Sequence, residues 1–158
     1  MTFFTKRFDE LSNSEIHEIF RLRSEVFVVE QNCVYQDIDG KDPVALHCYI
    51  QLENGDITAY TRIFDKGDYH SDKTSIGRVI VNPKYRRAGY GIQIMNYSIE
   101  QCEELFGKVS IEIGAQQYLR KFYNDLGFEE TGHDYLEDGI PHTTLIFPAD
   151  GFEKRTKA

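Results

Sequence analysis

One stretch constrains the chain more than any other: SIGRVIVNP (75–83), then KYRRAGYG (84–91), then IQIMNYSIEQCEELF (92–106). The first block has an apolar, β-branched centre and stops at Pro83, which reads as a strand. In the last block Ile92, Met95, Ile99, Cys102 and Phe106 recur at helical spacing, so it reads as a helix with one apolar face. Between them lie Lys84, Arg86, Arg87, Gly89 and Gly91. A strand that runs through a basic, glycine-containing turn into a helix start is an anion site. Backbone N–H groups converge where side chains are small, the helix N-terminus adds partial positive charge, and the cations add charge-assisted contacts. A diphosphate is the natural guest. Two phosphate loops are excluded: no GxxxxGK[ST] occurs, and a dinucleotide fingerprint would need glycine where the chain has Ile94. The pattern [R/Q]xxGx[G/A], met by Arg86, Gly89 and Gly91, remains. An ordinary strand-to-helix turn with a solvated basic cluster is the competing reading.

Strands and helices alternate on either side of this unit. TFFTKRF (2–8) reads as a strand, and Ser14 as the N-cap of a helix reaching Gln31, with Ile16, Ile19, Phe20, Arg23 and Phe27 in register. VALHCYIQLE (44–53) and DITAYTRIFD (56–65) flank Asn54-Gly55, which predicts a type I′ hairpin. KVSIEIG (108–114) predicts a strand, QQYLRKFYNDL (116–126) a helix ended by Gly127, and 128–148 two strands around an acidic turn. The order predicts an α/β (α+β) fold with a mixed sheet, one domain over 1–158 with its core at 3–147 and a loosely held tail at 148–158. A chain of 158 residues, 41% hydrophobic, is large enough for a real core.

The totals narrow the function. A formal net charge of −8 argues against nucleic acid as a partner. No apolar run approaches the ~18 residues of a membrane span, and the start, MTFFTKRFDE, lacks a basic-then-apolar signal pattern. Cys33, Cys48 and Cys102 are odd in number and dispersed, which fits a reducing cytoplasm better than disulfides or a metal pair. DIDGKD (37–42) has its glycine, Gly40, at the fourth position rather than the sixth of a calcium loop, so no metal is expected.

The 86–91 stretch, with its preceding strand and the strand and helix one element later, resembles motif A of the GNAT superfamily of acyl-CoA N-acyltransferases. VFVVEQNCVYQDIDGKD (26–42), Leu46-His47, Ala115-Gln116, FY…LGF (122–128) and YLEDGIPH (135–142) resemble its ElaA-type branch more narrowly. The resemblance covers about residues 3 to 147. It implies a sheet splayed between the strands at 75–82 and 108–114, with acetyl-CoA as co-substrate wedged in the gap. Backbone groups of Val79, Ile80 and Val81 would then pair with pantetheine. Amides of Arg86, Arg87, Ala88, Gly89, Tyr90 and Gly91 would hold the pyrophosphate, and Gln116 would touch the cofactor. A neutral primary amine of a small acceptor would attack the thioester in a ternary complex, with Tyr123 supporting the leaving sulfur as general acid.

The base is less determined. On the strand at 108–114, Ser110, Glu112 and Gly114 share one face, so Glu112 is a candidate, equally able to point to solvent or pair with a cation. The ElaA-like segments add Glu30, His47 and His142, and the loop at 37–42 adds Asp37, Asp39 and Asp42 as walls of an acceptor pocket that attracts a cation. Two rival readings stand beside this one. Acyl-homoserine-lactone synthases carry a series similar to Arg23, Phe27, Asp39, Asp42 and Arg62, but the chain lacks their tryptophan and has Ser75 where they have an acidic residue. A non-catalytic CoA-binding sensor would keep the loop without the chemistry. Exposed strand edges of such a fold allow a homodimer.

Overall fold

The computed structural model describes residues 1–155. Its strands are β1 (Thr2–Arg7), β2 (Leu46–Gln51), β3 (Ile57–Phe64), β4 (Thr74–Val81), β5 (Ile111–Gln116), β6 (Glu129–Glu137) and β7 (Ile140–Phe147). They form one sheet in the order β1-β2-β3-β4-β5-β7-β6. Every neighbouring pair is antiparallel except β4 and β5. That is the mixed α/β architecture the alternation of patterns predicts. β3 is buried along its whole length because helices cover both sheet faces. On one face α1 (Asn13–Arg23) contributes Ile19 and Leu22 to a cluster with Tyr49, Tyr60 and Ile80. On the other, α2 (Tyr90–Phe106) and α3 (Arg120–Asp125) pack Met95, Ile99, Cys102 and Tyr123 against Ile63, Ile76, Ile111 and Leu145.

Several local expectations change. Ser12, not Ser14, caps α1: its hydroxyl accepts from Glu15 N while Glu15 Oε1 accepts from Ser12 N. Only Ser12 has a Glu three residues on to close that box. After Arg23 the helix widens into a π-helical stretch, Ser24–Glu30. The β2–β3 hairpin is not type I′. Gly55 has φ +92, but Asn54 is not left-handed, and Gly55 N donates to Leu52 O, so a three-residue loop with a glycine bulge closes it. The pair that is left-handed at both positions is Asp138-Gly139, joining β6 to β7. On α2 the buried arc is shifted toward Ile94 and Ser98, which leaves Ile92 on its rim, 54% exposed. The expected loose tail is in part docked: α4 (Gly151–Lys154) buries Phe152 against Phe147. Residues 156–158 of that tail lie outside the described residues.

Two irregularities open the sheet. β4 and β5 pair only at Thr74↔Ile111 and Ser75↔Glu112, after which β4 runs on to Val81 and β5 to Gln116 without each other. Within β4, Arg78 and Val79 together oppose Thr61 of β3, a bulge that places Arg78 at φ +50. A left-handed arginine is costly, by roughly 1–2 kcal/mol. It is over-determined here because Arg78 Nε donates to Asp37 Oδ1 at 2.8 Å and Nη2 to the Asp37 carbonyl at 3.0 Å.

Candidate active site

The splay between β4 and β5 leads into two clefts that share Phe27, Gln31, Val79, Gln116, Leu119 and Tyr123. The first, about 440 Å³, is floored by the glycine turn: Arg86, Arg87, Gly89, Tyr90 and Gly91 line it with Val81 and Phe122. Asn82 sets the exit from β4, since its Oδ1 accepts from Lys84 N and its Nδ2 donates to the Ile57 carbonyl. Gly89 then takes φ +84 as the N-cap of α2 and offers no side chain to the helix start. The first amides of a helix have no partner within it, so those of α2 are left for a ligand. A Cβ at Gly91 would make ordinary contact, 3.4 Å from Val81 Cγ2 and 3.7 Å from Phe122 Cζ, so the glycine keeps the cleft floor low and a larger side chain would rise into it.

The basic cluster is less free than its sequence suggests. Lys84 pairs with Asp56 at 3.2 Å, and Arg86 Nη2 donates to Glu30 Oε1 at 2.7 Å. Arg87, at φ +67, has no carboxylate partner among the described residues. Glu30, expected in an acceptor pocket, is on the wall of this cleft and holds Arg86.

The second cleft, about 300 Å³, lies on the other side of Tyr123 and takes in Tyr35, Asp39, Arg78, Glu137, Asp138 and His142. Tyr123 is 5% exposed, and its hydroxyl has no hydrogen-bond partner among the described residues. Burial, with Tyr118 nearby, pushes the phenol well above its ordinary range, so it keeps its proton across physiological pH. His142 Nδ1 donates to the Ile140 carbonyl at 2.7 Å, which leaves Nε2 with the lone pair in the neutral ring, 3.4 Å from Glu137 Oε2. Cross-strand, His142 lies opposite Gln116, whose Nε2 donates to Gln31 Oε1.

Three other candidates sit elsewhere. Glu112 is outside both clefts, paired with His70 Nδ1 at 3.1 Å beside Lys73 and Tyr135. His47 is sealed at 1% exposure: Nε2 donates to the Asp42 carbonyl and Nδ1 accepts from Tyr60. Burial pushes its pKa below the ordinary value despite the Asp42 hydrogen bond. Asp42 is sealed beside it. Its Oδ1 accepts from Arg23 Nη1 at 2.6 Å and Arg62 Nη1 at 3.1 Å. Neither His47 nor Asp42 lines either cleft.

Sequence reasoning missed the reason: Arg23, Arg62, Asp37 and Asp42 form a buried network that Arg78 and Asp39 extend to the surface. Asp39 alone of these carboxylates borders a cleft. Burial opposes its charge, but hydrogen bonds from Arg62 outweigh that and hold its carboxyl well below the usual range. The signal was an arginine, Arg23, on the apolar stripe of α1.

This fold and paired-cleft geometry belong to an acyl-transfer class, and comparison identifies it. Residues 10–146 match the family model described as an acetyltransferase (GNAT) domain, so the chain belongs to the GNAT family, whose members use an acyl-CoA as co-substrate. Within that family it is similar to ElaA of Escherichia coli, 42% identical over 134 residues, 84% of this chain and 87% of that protein. The ElaA crystal structure superposes with a TM-score of 0.84, covering 92% of this chain and 99% of that one at 35% identity. An acyl-CoA N-acyltransferase from Pseudomonas aeruginosa gives 0.86 at 32% identity with the same coverage. A CoA-dependent acyl-homoserine lactone synthase, 15% identical, has a TM-score of 0.73, covers 95% of this chain and 85% of that one, and shares the fold alone. Among the described residues no helix is long and apolar enough to cross a membrane.

Proposed function

We propose that the protein transfers an acetyl group from acetyl-CoA to a primary amine of a small molecule, by direct attack in a ternary complex. The observation that carries this is the meeting of two clefts at Val79 and Tyr123, one floored by a glycine turn and the other walled by polar side chains. In this reading the pyrophosphate rests on the amides of 86–91 and draws Arg86 away from Glu30, while Arg87 adds its unpaired charge. Pantetheine takes the place of the missing strand along Val79, Ile80 and Val81, whose β5-facing edge the splay leaves unpaired. An amide at the bulge supports developing oxyanion charge. Tyr123 donates a hydrogen bond to the departing sulfur. An ordinary thiol, near 8.5, is more acidic than a phenol near 10, so full proton transfer is not required. His142 Nε2 takes the amine proton, and Glu137 steadies the imidazolium. A second copy would dock on the β1 or β6 edge.

Two rivals fare worse. The residues similar to the lactone-synthase series, Arg23, Asp39, Asp42 and Arg62, are spent on one another. A sensor would have no use for an unpartnered tyrosine hydroxyl between two clefts.

The base assignment is tested by pH–rate profiles of thiol release. His142→Gln is expected to remove the acidic limb of kcat/KM, and Glu112→Gln to keep it. An unaltered limb in His142→Gln would remove His142 from the mechanism. The cofactor assignment predicts that Gly91→Val weakens CoA binding about tenfold or more by filling the cleft, with the far-ultraviolet spectrum unchanged. Full affinity in that variant would place CoA elsewhere.

A further inference from the structure

If acyl transfer takes place where the clefts meet, the second cleft must seat the acceptor, and its charges say which amines fit. Among the described residues Arg78 is the one cation lining it. That guanidinium is committed: to the Asp37 carboxylate at 2.8 Å, to the Asp37 carbonyl at 3.0 Å, and to Asp39 Oδ2 at 3.6 Å. Behind it Arg23 and Arg62 hold Asp37, Asp39 and Asp42, so three guanidiniums meet three carboxylates and the group is neutral as a whole. Lys41, also close by, lays its ammonium over the Tyr69 ring at 4.4 Å and does not line the cleft. An acceptor carrying a carboxylate or phosphate would therefore find no free positive partner on the cleft's lining. It could gain one only by breaking a buried ion pair, at a cost of several kcal/mol.

The uncompensated charges are negative. Glu137 and Asp138 stand at the β6–β7 turn and line the same cleft as Tyr123. Among the described residues Glu137 has His142 as its one ion-pair partner, and the Asp138 carboxylate has no cationic partner. The turn is fixed, with both Asp138 and Gly139 left-handed and Cys33 Sγ donating to the Asp138 carbonyl.

We infer that the acceptor is a small aliphatic diamine or polyamine, whose second, protonated amine lies toward Glu137 and Asp138 while the first is acylated. This rests on the acyl-transfer reading above. The step balances: the neutral amine nitrogen attacks the thioester carbon, the C–N bond forms and the C–S bond breaks. The amine gives up one proton, to His142, and CoA leaves as thiolate to be protonated to free thiol. N-acylated diamine and CoA are the products.

Four acceptors of one chain length, differing at the far end, test it: diaminobutane, butylamine, γ-aminobutanamide and γ-aminobutanoate. With saturating acetyl-CoA and thiol release as readout, kcat/KM should be about tenfold higher for the diamine than for the amide and butylamine. It should be about tenfold lower again for the carboxylate, each step being the worth of one partly screened charge contact. Asp138→Asn should narrow the gap between diamine and amide. A carboxylate acceptor that matches or exceeds the amide would overturn the inference and leave acyl transfer standing. So would equal rates for diamine and amide. Thiol release with none of the four, in protein that binds CoA, would overturn both.

Discussion

Tyr123→Phe is expected to lower kcat for acyl transfer about 100-fold while CoA affinity stays within about twofold of the parent. The ring would stay where it is, packed edge-on against Phe122 and Phe128 in the core, so the fold loses nothing but one hydroxyl. That hydroxyl has no partner of its own among the described residues. Its deletion therefore strands no protein group, and the whole effect should fall on the charge that develops when the thioester breaks. Because burial holds the phenol proton tightly, the proposed role is that of a hydrogen-bond donor to sulfur rather than a source of free protons. A thioester with a more acidic leaving thiol should lose less from the substitution. Steady-state kinetics beside calorimetric CoA titration makes the measurement. An unchanged kcat, or a loss confined to CoA affinity, would remove Tyr123 from the chemistry.

Asp42→Asn is expected to cost about 3–5 kcal/mol of stability in urea unfolding. One carboxylate there answers two guanidiniums: Arg23, 0% exposed, and Arg62, 1% exposed. Neutralising it leaves buried positive charge with fewer partners in a medium that screens little. Asp37 and Asp39 cannot move to compensate, since Asp37 already takes Arg78 and Arg23, and Asp39 takes both terminal nitrogens of Arg62. Replacing Arg23 by Met and Asp42 by Leu together should recover part of the loss, because Arg23 is no longer left short of a partner while Arg62 keeps Asp39 and Asp37 keeps Arg78. A loss below about 1 kcal/mol for the single change would mean that water reaches the network. These ion pairs hold the 31–43 loop against β4, and with it the wall of the second cleft and the bulge at Arg78, so the change should also reach the proposed acceptor site.

The parts legible in the sequence were those written in short-range patterns. Helical spacing in 92–106, a β-branched run ended by Pro83, and glycines after basic residues placed the α2 N-terminus and the floor of the first cleft correctly. Side-chain destinations set by distant partners were not legible. The loop at 31–43 looks solvated because it is rich in aspartate. Most of it is indeed exposed, but Asp37 and Asp42 are buried because arginines on α1, β3 and β4 converge on them, and nothing local says so. His47 looked available for the same reason: its partners, Tyr60 and the Asp42 carbonyl, belong to other elements. The β4 bulge was invisible because the left-handed position is filled by Arg78, when glycine would have announced it. Glu30 was assigned to the acceptor and instead holds Arg86, since the π-helical stretch turns it toward the glycine turn. Glu112 was correctly placed on the polar face of its strand, but that face meets His70 before it meets either cleft.

The central claim is that the glycine turn and the open β4 edge together hold a coenzyme A thioester. Calorimetric titration of the folded protein with CoA and with pantetheine tests it most directly. One site per chain is predicted for CoA in the micromolar range, with pantetheine at least about tenfold weaker because it lacks the diphosphate. Absence of heat at millimolar CoA, or equal affinity for the two ligands, would contradict it.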